Sequence, residues 1–283
     1  MWRRWVDGRT TPLVTAEYPY TRIVLDMSDL WRSALAGTRA PLELALVADS
    51  RLPGPRANLE LAAQFADTVA TTAAKNRPGA LSLLGDWLTL PARFTTTVPD
   101  GTAEFLHACA ALAAGALDAR DLLTQAASDP RWRVRELAAT GVQRVLTADW
   151  DAGMEMVRSW LLSGDPLRIR AAVAAVAEPR LLRDAAHATE AFEVVRQATD
   201  ALLATPAERR RADDVRVLRA ALGYAISVVT VASPDAGISL LHQLAAADDT
   251  DARWIAKENL RKARLRPFTD HLADARRAVG LET

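Results

Sequence analysis

The sequence contains one cysteine, Cys109. An internal disulfide is therefore excluded, and nothing points to an oxidising compartment. Aromatic residues make up only 6% of the chain, and with alanine and leucine dominant, helix formers greatly outnumber strand formers. Net charge is also missing: 35 bases face 35 acids, and the balance holds within residues 1–150 (16 of each) and within 151–283 (19 of each). The excess of positive charge that marks a strongly basic nucleic-acid binder is thus absent at chain level. Only Lys75, Lys257 and Lys262 are lysines. The remaining bases are arginines, which suit planar bidentate contacts with carboxylate or phosphate.

Other absences narrow the function classes. No apolar stretch of the signal-peptide kind follows Met1-Trp2-Arg3-Arg4-Trp5. The most apolar run, residues 220–232, falls far short of a membrane span. A cytoplasmic location without a membrane partner is the expectation. Gly-rich phosphate loops and nucleophile elbows are missing. His107, His187, His242 and His271 lie far apart without ligand spacing, so neither a metal site nor a cofactor is expected.

What is present is helix after helix. Half of the residues are hydrophobic and a quarter are charged, enough to build a sizeable core. Residues 1–25 are the least regular part and read as a short extended element or a non-repeat cap. Ser28 is a plausible N-cap for residues 29–35, and Gly37 a plausible stop. Leu42, Leu44, Leu46 and Val47 mark an apolar helix, broken at Arg51-Leu52-Pro53-Gly54-Pro55. Leu61, Phe65 and Val69 recur every fourth residue and predict an amphipathic helix. Pro78-Gly79 reads as a break before a short helix over 81–90, and a loop is expected over 91–100. An Ala-rich helix from Glu104 to Leu117 carries Cys109 as a buried, inert thiol.

From Asp118 the pattern becomes a repeat. Helix pairs are expected at 118–127 with 130–146, 151–162 with 166–176, 185–204 with 215–231, and 236–247 with 251–265, closed by a short helix over 267–279. An aspartate opens each second helix: Asp129, Asp165, Asp214 and Asp251, spaced 36, 49 and 37 residues apart. A carboxylate there can cap free amides at the positive end of the helix dipole. Such pairs cannot bury their apolar faces alone, so they stack. The fold class expected is all-α, an α-α superhelix of stacked antiparallel helix pairs, with residues 26–283 as one solenoid.

The segments Asp129-Pro130-Arg131-Trp132-Arg133-Val134-Arg135-Glu136-Leu137-Ala138 and Asp165-Pro166-Leu167-Arg168-Ile169-Arg170-Ala171-Ala172 resemble the second helix of HEAT repeats. The flavour is similar to HEAT-like-repeat proteins related to bacterial DNA alkylation-repair glycosylases of the AlkD type, over about residues 118–265. That resemblance implies a concave groove that holds duplex DNA. It also implies a tryptophan and a carboxylate one helical turn apart facing the lesion, with an arginine one repeat later. The matching positions here are Trp132, Glu136 and Arg170, with glutamate where the group carries aspartate. The chemistry implied is hydrolysis of the glycosidic bond of a cationic alkylated purine. A fixed carboxylate and an aromatic face stabilise the sugar cation without a metal.

The residues themselves allow a second reading. At roughly 100° per residue, Val134, Ala138, Val142 and Val145 gather on one side of their helix, and Trp132, Glu136, Ala139 and Gln143 on the other. The second group needs a partner, either a neighbouring repeat or a ligand. Arg131-Trp132 with Glu136 recurs as Arg253-Trp254 with Glu258, and a feature that recurs in two repeats reads first as a packing and ion-pair device. Arg253, Lys257, Arg261, Lys262, Arg264 and Arg266 form a basic run in which Glu258 is the only acid. It serves either the helix dipole or phosphate contacts. Arg209-Arg210-Arg211, followed by Asp213 and Asp214, reads as a local solvated ion cluster. Arg131, Arg135, Gln143, Arg168, Arg219, Arg253, Trp254, Lys257 and Arg261 are the candidate binding residues. The expected function is a binding scaffold for a macromolecule, protein or duplex DNA, with the glycosylase as the alternative.

Overall fold

The computed structural model describes residues 26–90 and 102–281. The N-terminal segment 1–25 and the loop expected over 91–100 lie outside the described residues. Within them there are fourteen α-helices and no strand. They are α1 (Met27–Leu35), α2 (Ala40–Ala48), α3 (Leu59–Thr72), α4 (Arg77–Thr89), α5 (Glu104–Ala116), α6 (Arg120–Ala127), α7 (Trp132–Ala148), α8 (Trp150–Leu162), α9 (Pro166–Val176), α10 (Ala185–Ala204), α11 (Asp213–Ala232), α12 (Pro234–Ala246), α13 (Thr250–Leu260) and α14 (Ala273–Ala278). The all-α expectation holds.

The helices form two rows. In one row α3 packs on α5, α5 on α7, α7 on α9, α9 on α11 and α11 on α13. Behind it, each even-numbered helix from α6 to α12 fills the groove between its neighbours in the first row, as α8 does between α7 and α9, while α4 packs on α5 and α6. Chain order and spatial order coincide, so nearly all contacts are between adjacent pairs. Helices with this local connectivity bury their apolar stripes by stacking.

Sequence boundaries and structural boundaries differ where side chains cap. Asp165 opens α9 as expected, its Oδ1 accepting the Leu167 N–H at 2.9 Å, and Pro166 follows at the first helical turn. The other three aspartates do not act as the expected caps. Asp249, two residues before Asp251, caps α13 by accepting from the Asp251 and Ala252 N–H groups. Asp214 lies inside α11 and is engaged by Arg209, and Asp129 precedes the start of α7, where it accepts the Arg131 backbone N–H at 2.8 Å as well as the Arg131 guanidinium. Asp26, not Ser28, caps α1. Pro78-Gly79 does not break a helix but starts one: Asn76 accepts the Gly79 N–H at 3.0 Å and α4 begins at Arg77. Gly37 ends its helix as expected, with φ +103°, a conformation that favours glycine.

The first-row contacts depend on small residues. In α5, Ala108, Ala110, Ala111, Ala113 and Ala114 are all buried, which lets α7 approach closely. At the crossing, a Cβ added to Gly115 would sit 2.2 Å from Gly141 O and 2.3 Å from Gly141 Cα. The two backbones touch, and only glycine fits. At the amino-terminal end the packing is aromatic: the Phe65 ring lies 5.5 Å from both Trp31 and Trp87. The buried Trp87 Nε1 donates to Glu43 at 2.8 Å, satisfying the polar handle.

Helix α11 is 20 residues long with mean hydropathy 1.6 over its most apolar window, so by length and composition it could cross a membrane. It is longer than the apolar run read from sequence because Asp213, Asp214, Arg216 and Arg219 sit in its first two turns. In the fold it is the central helix of its end of the stack, packed by α9, α10, α12 and α13. Its apolarity is therefore that of a core helix. On α13, the buried Asn259 donates to Leu222 O and Ile255 O, both at 2.8 Å, and accepts from the Ser227 N–H at 2.8 Å. A polar side chain this well satisfied fixes the register of α13 on α11.

Gly115→Ala is expected to lower the unfolding free energy by about 1–3 kcal/mol, the cost of overpacking against backbone that cannot yield. Gly85→Ala, in mid-helix with only Leu122 Cδ2 at 3.6 Å, is expected to stabilise by about 0.5–1 kcal/mol. Urea unfolding of both variants against the parent chain checks the pair; equal effects would refute the close-approach account.

Candidate functional site

The wheel drawn for α7 holds. Val134, Ala138, Val142 and Val145 are buried, and the opposite side meets the next helix pair. Glu136 forms an ion pair with Arg170 of α9. Gln143 Nε2 donates to Ala174 O at 3.0 Å, and Ala139 is buried. Glu136 and Gln143 are thus joined to the neighbouring pair. Trp132 alone stays open, 53% exposed. One face of its ring is covered by the Arg133 guanidinium, 4.5 Å from the centroid. Arg133 is held in turn by Glu104 at 3.3 Å and Gly54 O at 3.1 Å.

The arginines around the start of α7 are engaged as well. Arg131 grips Asp129 through two bonds, 2.8 and 2.6 Å, the bidentate geometry that suits arginine. Arg135 is buried, its Nη1 donating to Asp129 O at 2.6 Å and Pro130 O at 2.8 Å. Burial, and then the nearby Arg170 charge, holds the Arg135 pKa below its ordinary value. Arg168 lies 3.4 Å from Asp165 and 3.3 Å from Ser128 Oγ, which itself donates to Asp165 at 2.8 Å. The Trp132, Glu136 and Arg170 set singled out from sequence is brought together only at its Glu136–Arg170 link.

The equivalent seam between α11 and α13 is built from the same residue types in another arrangement. Arg219 donates to Asp251 at 2.5 Å and stacks over the Trp254 ring at 4.5 Å. The edge of that ring and the Glu258 stem lie against Gly223, where a Cβ would fall 3.0 Å from the ring. Glu258 accepts from Arg261 at 2.6 Å. Trp254 is therefore a packing residue facing the preceding pair, with only part of its surface open.

The triple arginine before α11 is more than a local cluster. Arg209 binds Asp214 as expected, at 2.7 Å. Arg210 reaches across to the α13 cap, donating to Asp249 at 2.6 Å and lying 3.5 Å from Asp251. Asp249 is raised by burial, but the Ala252 N–H and the Arg210 guanidinium outweigh this and hold its pKa below the usual carboxylate value. Arg211 is exposed and has no ion pair among the described residues. In the basic run, Arg253 donates to Ala278 O at 3.0 Å, and Arg264 lies over Tyr224 while donating to its hydroxyl at 2.6 Å. Lys262 lies 5.8 Å from the same ring. Lys257 and Arg266 have no ion pair among the described residues.

Two adjoining clefts lie at this seam. The larger, about 560 Å³, is lined by Arg210, Arg211, Arg216, Arg219, Thr250 and three aspartates. The smaller, about 390 Å³, is lined by Asp213, Arg216, Val217, Arg219, Ala220 and Trp254. Arg216 and Arg219 are the wall between them. Arg216, Val217 and Ala220 were not among the residues singled out from sequence, and Arg211 was read there only as part of a local ion cluster. The signal was present: Arg219 and Ala220 follow Arg216 by three and four residues, the spacings that make each its neighbour on a helix. What the spacing could not supply was the Trp254 ring from the next helix.

Neither a protein-family model nor a curated protein matches the chain. The geometry therefore carries the functional argument by itself. No group of three or more metal-ligating side chains occurs among the described residues. Cys109 is fully buried and burial pushes its pKa up, which leaves it as an inert thiol. His107 is also buried, its Nδ1 2.8 Å from Ala103 O and its Nε2 3.0 Å from Leu90 O. A neutral imidazole has one N–H and can donate to only one of them. Burial lowers the His107 pKa; the two carbonyls and Asp129 oppose this, Arg131 adds to it, and burial wins.

Two expectations follow. Below about pH 6.5, where an unfolded histidine takes up its proton, the unfolded chain binds that proton before the folded one does. Stability linked to His107 is thus full above this pH and falls as acidity increases. His107→Gln flattens the unfolding free energy measured between about pH 5 and 6.5; an unchanged slope would remove His107 as its source. Separately, Trp254→Ala costs about 3 kcal/mol, near the low end for a large core aromatic. Trp132→Ala stays within about 0.5 kcal/mol, as for an exposed side chain. Thermal and urea unfolding of both variants distinguish the two tryptophans.

Proposed function

We propose that this chain is a cytoplasmic helical-repeat scaffold of the HEAT type. It engages a macromolecular partner along the face presented by its second helices, without catalysing a reaction. The observation that carries this reading is the fate of the arginines on that face. Arg131, Arg168, Arg170 and Arg219 are each paired with an acid, and Arg135 is bound to backbone carbonyls in the interior. A duplex-binding groove needs guanidinia free to replace phosphate counterions, whereas cations paired within the stack hold successive repeats in register.

The same pairing argues against the glycosylase alternative. A carboxylate that stabilises a sugar cation acts through its uncompensated charge, and Glu136 is compensated by Arg170. What favours that alternative is the exposed Trp132 ring near the same helix start.

A titration of the protein against methylated and unmethylated duplex DNA over a salt series tests the proposal. The expected result is no steep weakening with salt, since few phosphate contacts are available, and no release of methylated purine. Steep salt dependence with purine release that is lost in Glu136→Gln would overturn the scaffold reading and establish the glycosylase.

A further inference from the structure

Resting on the scaffold reading, we infer that the paired clefts between α11 and α13 are a docking site for an acidic protein segment bearing one large apolar side chain. The two clefts differ in chemistry and share a wall. Arg211 and Arg216 line the larger one, and both are exposed. Arg211 has no ion pair among the described residues, and Arg216 only a loose contact with Asp213 at 3.6 Å. The other two arginines of the larger cleft are already fixed: Arg210 by Asp249 and two backbone carbonyls, Arg219 by Asp251 and the Trp254 ring. The cleft thus has two rigid, largely neutralised guanidinia as scaffolding and two accessible ones as reagents. A carboxylate placed there gains charge-assisted hydrogen bonds without breaking an existing strong pair.

The smaller cleft supplies the apolar half. Val217, Ala220 and part of the Trp254 ring form its floor, with Ala220 exposed. Small apolar surface beside an aromatic ring is the usual seat of an interface anchor. Because Arg216 borders both clefts, carboxylate and anchor must come from neighbouring residues of one segment.

A peptide fits this lining better than a nucleic acid. Asp213 and Asp248 also line the clefts, and they repel a continuous run of phosphates more strongly than the few carboxylates of a short segment. One face of the Trp254 ring is covered by Arg219, which reduces the ring surface on which a base could stack, the contact that single-strand binders use.

The test uses the full-length protein and a short fluorescein-labelled peptide of glutamates surrounding one phenylalanine, read by fluorescence anisotropy at low salt. Expected is saturable binding that weakens about tenfold when the glutamates become glutamines, roughly the worth of one charge-assisted hydrogen bond. Replacing the phenylalanine by alanine should weaken it severalfold. Arg211→Ser with Arg216→Ser should cost about tenfold or more, and Ala220→Glu, which introduces an acid on a helix-compatible exposed position, should do the same. Arg196→Ser on α10 should leave binding unchanged. Circular dichroism verifies that each variant is folded. Absence of peptide binding, binding indifferent to both cleft variants, or tighter binding of a single-stranded oligonucleotide would each overturn the inference. None of these outcomes touches the scaffold reading, which stands or falls on purine release and its dependence on Glu136.

Discussion

The constraint on which the structure rests is the short distance between successive helices of the first row. At the α5–α7 crossing two glycines bring backbone against backbone, and the flanking alanines of α5 extend the close contact along the helix. Dispersion attraction and the exclusion of water both depend on this fit, and a gap of less than an ångström already forfeits a large part of it. Close approach also decides what the polar side chains can do. Gln143 reaches Ala174 O, and Asn259 reaches both Leu222 O and the Ser227 N–H, only because neighbouring helices lie within the span of one side chain. Packing sets the distance, and the hydrogen bonds then select one register among those the apolar faces alone would tolerate.

Electrostatics works at the next level. The chain has equal numbers of acids and bases, and many of them meet between adjacent helix pairs: Arg120 with Glu155, Arg158 with Glu190, Arg170 with Glu136, Arg210 with Asp249 and Arg219 with Asp251. Exposed pairs of this kind contribute little to stability individually. Their consequence is selective, since each acid that pairs correctly would otherwise repel or misplace a neighbour. Cations that keep no ion pair among the described residues include Arg211, Lys257 and Arg266 at the α11–α13 end and Arg51, Lys75 and Arg183 elsewhere, while Arg216 holds only a loose contact with Asp213.

Periodicity made the helices legible because each buries one stripe, and the 3.6-residue repeat registers that directly. The ends of α9 and α10 were readable to the residue because Asp165 and Asp184 sit at the N-cap with apolar faces starting at once. The openings of α11 and α13 were misread. An aspartate near a helix start can cap it or pair with a base from another helix, and sequence does not show which bases will be near. Asp214 meets Arg209, and Asp251 meets Arg219 across the seam. The site was legible in the same uneven way. Residue type and helix face were visible for Trp132, Glu136 and Arg170, but the ion pair that joins two of them runs from α7 to α9. Arg210 looked local because its acids, Asp249 and Asp251, lie about forty residues further on.

That unevenness has a physical source. In a stack of helices, information within a helix is carried by spacing, while information between helices is carried by the offset of one helix against the next. The Trp-to-Glu spacing is identical at 132–136 and 254–258, yet the partners differ. Glu136 looks forward to Arg170 of α9, whereas Trp254 looks back to Arg219 and Gly223 of α11. The same motif therefore closes the seam after it on α7 and the seam before it on α13. After α13 the described residues hold the short helix α14 (Ala273–Ala278). The ring is committed backward, and the cleft beside it stays open. The difference between the two seams thus lies in the offset between neighbouring helices and not in the motif itself.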